Sequence, residues 1–178
     1  MARAESDDCM HAARRACAAA VARVPALRAT GWAPGTMRAM KTPLPTHKKL
    51  VHQTRMPVRW GDMDAVGHVN NAMYFRYMED VRIEWLRAVG RDTAPPGQGA
   101  VIAHAFCNFL REISYPAQLL IKLYVSDPAR TTVETWITME REDQPGVVLA
   151  EGGATLMWVD FTQRKAAPLP EWLRAALA

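Results

Sequence analysis

One long amphipathic helix pattern, followed by four strand patterns with no second helix among them, constrains this chain more than any other feature. Between Asn71 and Gly90 apolar residues recur at Tyr74, Met78, Val81, Trp85 and Val89, the three-to-four spacing that lines one helical face. Asn70 or Asn71 is a preferred N-cap type and Gly90 stands where a C-terminal stop belongs. Upstream, Lys49 to Trp60 alternates as a strand does. Downstream, Val101 to Glu112, Leu119 to Val125, Thr131 to Glu140 and Val147 to Asp160 read as strands, bounded by turn signals such as "SDPA" and "EDQPG". Their short connections predict consecutive antiparallel pairing. The tail "PLPEWLRAALA" predicts a short helix over a sheet edge. This order is an α+β pattern, a sheet wrapped round a single helix.

The 178 residues, 49% hydrophobic and 22% charged, suit one domain with a full core. The formal net charge of +4 conceals an asymmetry. Residues 1 to 50 hold nine Lys/Arg against three Asp/Glu, and residues 51 to 178 hold thirteen against fifteen. The second part therefore lacks the basic face that a nucleic acid partner requires. No apolar stretch approaches the roughly 20 residues of a membrane span. Cys9, Cys17 and Cys107 show no zinc or disulfide spacing, which fits a reducing, cytoplasmic setting.

Residues 1–48 differ in texture from the rest, being rich in Ala and Arg and then broken by "GWAPGTMRAMKTPLPTHKK". They read as an appendage, disordered or loosely helical. Three origins stand open: a transit peptide, a basic arm, or a mis-called start with translation beginning at Met37 or Met40. Residues 49–178 form the domain.

The chemistry concentrates in "GDMDAVGHVNNAMYF", residues 61–75, which places two acids, a histidine and two asparagines directly before the helix. First-turn N–H groups have no intrahelical partner, so a carbonyl placed there is polarised and a developing oxyanion stabilised. Asp64 is the candidate carboxylate, able to activate water or to attack an acyl carbon. Asp62 competes for that role, and both acids could instead only hold the loop through backbone hydrogen bonds. His68 is a candidate acid, base or positioning donor, four residues from Asp64. Asn70 and Asn71 are expected to cap the helix, with contact to substrate as a second role.

On the helix, Tyr74 and Glu79 are substrate-contact candidates, while Glu79, Arg82 and Glu84 are spaced for ion pairs along one face, in a solvated or an interface network. Met73, Met78 and Trp85 are expected in the core, and Cys107 as inert packing. No metal is expected, because the histidines lack ligand spacing. No cofactor is expected either, since no phosphate-binding glycine loop or serine-nucleophile motif is present.

"VRWGDMDAVGHVNNAMYFRYMEDVRIEWL", together with "EISYPAQLLIKLYV", resembles the signature of the hotdog-fold acyl-CoA thioesterases, the 4-hydroxybenzoyl-CoA thioesterase-like group, over about residues 52–160. The resemblance implies a hotdog fold and hydrolysis of an acyl-CoA to the free acid and coenzyme A. It maps the catalytic carboxylate onto Asp64 and the carbonyl-polarising N–H onto Asn71. It further implies a homodimer, often paired into a homotetramer, with sites at the subunit interface and basic residues on the phosphates, for which Arg130 is a candidate. Acyl carrier protein is the alternative carrier, and a non-catalytic acyl-CoA or carrier-protein binding module the alternative function. An apolar acyl pocket is expected to raise the pKa of Asp64, which must stay ionised to act.

Overall fold

The computed structural model describes residues 42–178, so the expectations for residues 1–41 lie outside the described residues. Strand β1 (Lys49–Pro57) leads through a 3₁₀ turn (Trp60–Asp62) into helix α1 (Asn71–Ala88). Then come β2 (Gln98–Phe109), β3 (Gln118–Ser126), β4 (Thr132–Arg141), β5 (Val148–Asp160), the two-residue β6 (Lys165–Ala166) and the short helix α2 (Glu171–Leu177). The long helix therefore follows its sequence pattern closely. The last strand and the tail helix also fall where periodicity and turn residues put them.

The strands form one antiparallel sheet in the order β1-β3-β4-β5-β2, with β6 against β5. Consecutive pairing holds for β3, β4 and β5 but not for β2, which lies beside β5. The physical reason is α1. The helix carries the chain from β1 across the inner face to the opposite edge, so β2 starts there, and residues 110–117 must then cross the sheet end to reach β3. The strand read as Val101 to Glu112 accordingly stops at Phe109. Residues 110–113 belong to the crossing.

Burial alternates along β4, where Val133, Thr135, Ile137 and Met139 face inward and Glu134, Trp136 and Thr138 face out. Tyr74, Tyr77, Met78, Val81, Trp85 and Leu86 of α1 pack with Leu119, Ile121, Leu123, Ile137 and Leu156 of the sheet in one core. Close approach needs glycine at two adjacent positions of β5. A Cβ on Gly152 would strike the Phe106 carbonyl and come within 2.9 Å of the Met78 methyl, and one on Gly153 would lie 2.7 Å from the Trp136 ring. This antiparallel sheet curled round one long helix is the hotdog fold.

Residues 42–48, assigned by sequence to the appendage, reach the sheet. The Thr42 carbonyl accepts from Asn108 Nδ2 at 2.8 Å. Lys48 lies 5.4 Å from the Tyr124 ring centroid.

Candidate active site

Two acids two residues apart meet opposite fates. Asp62 is buried at 6% exposure; its Oδ2 accepts from the Arg59 N–H at 2.9 Å and from the Tyr77 hydroxyl at 2.7 Å. Its carbonyl accepts from the Asn70 N–H at 2.9 Å. Asp62 is thus the clamp between loop and helix. Asp64 is exposed. Its Oδ1 accepts from the N–H groups of Val66 at 2.8 Å and His68 at 3.2 Å, and Oδ2 carries no hydrogen bond among the described residues.

The turn between them depends on Gly67, whose φ of 90° is a left-handed conformation that costs a side-chain-bearing residue strain. That turn aims both N–H groups at Asp64 Oδ1, and its base is closed by a bridge between Met63 and Val69. The hydrogen bonds from His68 and Val66 hold the Asp64 carboxyl below its ordinary value. This corrects the expectation of a raised pKa. Hydrogen bonds to the charged form outweigh desolvation at an exposed carboxylate.

Asn70 caps α1, with Oδ1 accepting from the Ala72 N–H at 2.9 Å and its carbonyl accepting from the Met73 N–H. The Asn71 N–H has no partner among the described residues, as the first helical position requires. Asp64, His68, Asn71 and Tyr74 line one open cleft of about 420 Å³, with Phe109, Arg111 and Glu112 opposite. Tyr74 is buried and meets Phe109 edge to face at 4.9 Å between ring centroids. Burial pushes its phenol up, so it stays protonated.

No side-chain hydrogen bond joins His68 to Asp64 among the described residues; the His68 Nε2 lies 3.4 Å from Glu112 Oε2. Sequence reading missed Glu112 and Arg111 because it placed both inside a strand. They arrive through the crossing segment, where Val69 N–H donates to the Ile113 carbonyl at 2.8 Å and the Leu110 and Arg111 N–H groups donate to Leu149.

Other candidates lie elsewhere. Glu79 sits two turns along α1 and pairs with Arg76 at 2.9 Å. Glu84 meets His52 at 3.3 Å. Arg82 is buried, with Nη1 unpartnered among the described residues, so it is not part of a solvated ion-pair network with Glu79 and Glu84. Arg130 lies in the β3–β4 turn, where its carbonyl accepts from the Leu169 N–H, away from the cleft. Cys107 is half-buried in β2, and burial pushes its thiol up to about 12. No group of three or more His, Cys, Asp or Glu poised for a metal occurs among the described residues.

Residues 58–177 match the model of the thioesterase-like superfamily. The chain belongs to that family. Among solved structures, it is similar to the PA2801 protein of Pseudomonas aeruginosa, a proposed thioesterase, with 32% identity, a TM-score of 0.70, and coverage of 73% of this chain and 100% of that one. A proposed esterase of Aquifex aeolicus is 30% identical over 95 residues, 50% of this chain and 72% of the relative. The DHNA-CoA thioesterase of Staphylococcus aureus has 19% identity, a TM-score of 0.62, and coverage of 69% of this chain and 86% of that one. At that identity the likeness is one of fold.

Tyr77→Phe removes the hydroxyl from a buried carboxylate, and a hydrogen bond to a charged group is worth about 1.5–3 kcal/mol. Urea unfolding should report a loss in that range, with the loop and its turnover impaired together.

Proposed function

We propose that this chain hydrolyses an acyl-CoA thioester to the free acid and coenzyme A. The observation that carries the reading is the pairing, in one cleft, of Asp64 Oδ2 with the Asn71 N–H at the start of α1, neither of which has a hydrogen-bond partner among the described residues. A thioester carbonyl oxygen at that N–H is polarised by the donor and by the helix dipole. Asp64 then acts in one of two ways. It takes a proton from water as the new C–O bond forms, or Oδ2 bonds to the acyl carbon and water later cleaves the anhydride. In both, the C–S bond breaks and the sulfur leaves as thiolate, to be protonated. His68 at the cleft wall, with Asn70 holding the helix start, positions the group that leaves. Tyr74 and Phe109 line the cleft beside the acyl group.

The working form is a homodimer, alone or paired into a tetramer. Support comes from β2, an edge strand in which residues 102–105 are all exposed, Ile102 among them. An exposed strand edge is a template for pairing with another chain. Coenzyme A is taken as the carrier over an acyl carrier protein, and a cytoplasmic setting supplies such substrates. Among the described residues no helix is long and apolar enough to cross a membrane.

Thiol release from a panel of short, long and aromatic acyl-CoAs is the test. Asp64→Asn should abolish turnover while leaving acyl-CoA binding intact; binding without turnover in the wild-type protein would instead favour a non-catalytic binding module. Because backbone hydrogen bonds lower the Asp64 pKa, the carboxylate stays ionised as pH falls, and the rate should hold until below the ordinary aspartate value of ~3.9. A kcat/KM profile that declines well above that value contradicts an ionised Asp64 in this loop. Sedimentation of the full chain should show a species of at least twice the chain mass, shifted toward monomer by Ile102→Lys.

A further inference from the structure

A separate cleft of about 510 Å³ lies on the outer face of the sheet, where β5 meets β2 and β6, and is lined by Val101, Met157, Val159, Phe161 and Ala166. Strand alternation puts these side chains outside. Leu156 and Trp158 are buried in the core, so Met157 and Val159 point the other way, and Val101 pairs with Met157 across the sheet. The cleft is remote from the candidate active site. Val101 and Phe109 are eight residues apart along β2, about 26 Å at the rise of a strand, and Phe109 meets Tyr74 on the inner face.

One wall is held in place by the backbone. The Phe161 N–H donates to the Gly97 carbonyl at 2.8 Å, and the ring lies over Gly99, where an added Cβ would come within 3.0 Å of Cε2. The mouth is cationic. Arg164 and Lys165 are exposed there, and neither side chain has an ion-pair or hydrogen-bond partner among the described residues. Asp160, the acid of the lining, accepts from the Gln163 N–H at 2.8 Å through Oδ1 and so closes the β5–β6 turn. Arg164 has a φ of 52°, a left-handed conformation that suits glycine. A long cationic side chain therefore stands where backbone sterics alone favour none.

We propose that this outer cleft binds an amphiphilic carboxylate, a straight-chain acid of medium length, with its tail along Met157, Val159 and Phe161 and its head at Arg164 and Lys165. A cleft of this size with an apolar wall and a few charged groups has the make-up of a small-molecule site. The wall rewards apolar area removed from water, and the two cations reward a carboxylate at the mouth. A short anion meets only the second demand and a neutral chain only the first. The chain's own first fifty residues do not complement this mouth, because they hold nine Lys/Arg against three Asp/Glu. The site is independent of the hydrolysis proposed above. Edge pairing of β2 leaves it open, since an added strand lies in the plane of the sheet.

The experiment is calorimetric titration of the full chain with decanoate below its micellar concentration, beside decyltrimethylammonium, acetate and vesicles of anionic phospholipid. Decanoate should bind, and decyltrimethylammonium and acetate should bind about tenfold more weakly or not at all. Arg164→Gly removes the cation and relaxes the backbone, so it should weaken decanoate about fivefold, as for a partly solvated charge pair, without lowering Tm. Phe161→Ala removes part of the apolar wall and should weaken decanoate about tenfold. Unchanged affinity in both variants places the bound acid elsewhere, and equal affinity for the cationic amphiphile removes the role of charge; either result overturns the assignment. So would a wild-type protein that binds no decanoate, binding seen only with the vesicles, or self-association abolished by the same two variants with no decanoate bound, which would make this face a contact between copies.

Discussion

The loop geometry depends on one buried carboxylate. Asp62 accepts from the backbone of its own 3₁₀ turn and from Tyr77 inside the core, and its carbonyl anchors the Asn70 N–H. Burying a charge is costly unless its oxygens are satisfied, and these donors do that only in one arrangement of loop and helix. The stem is thereby fixed to α1 at both ends, and the tip between Met63 and Val69 projects outward. Asp64 is held exposed at the cleft because Asp62 is held buried beneath it.

The same backbone that presents Asp64 also restrains its basicity. Two N–H groups on Oδ1 favour the ionised form and draw the pKa down. A weakly basic carboxylate is a poor proton acceptor by Brønsted behaviour, so driving force must come from elsewhere. In the hydrolysis proposed above it would come from proximity and from the polarising Asn71 N–H, which lower a barrier without demanding a strong base. The compensation is a carboxylate that remains charged over a wide pH range.

The helix was legible because its information is local. Asn70 as cap and the Tyr74-to-Val89 stripe predict α1, and the structure differs only in ending at Ala88. Strand identity was legible for the same reason, through alternation and turn residues. Pairing was not, because the inner-face passage of α1 displaces β2 to the far edge. That Arg82 is buried was not legible, because side-chain spacing specifies a helical face but not what covers it.

By itself, the sequence determined that a carboxylate and a helix N-terminus would be neighbours, since Asp64 and Asn71 are seven residues apart on a loop closed by glycine and a cap. It also determined the resemblance that points to thioester chemistry. Only the tertiary structure decided which acid is buried, that His68 pairs with Glu112, and that Arg111 and Glu112 line the Asp64 cleft. Those outcomes depend on segment 110–117 crossing the sheet end to meet a loop more than forty residues away. Contacts of that range are set by the closure of the whole sheet around its helix, which no local pattern encodes.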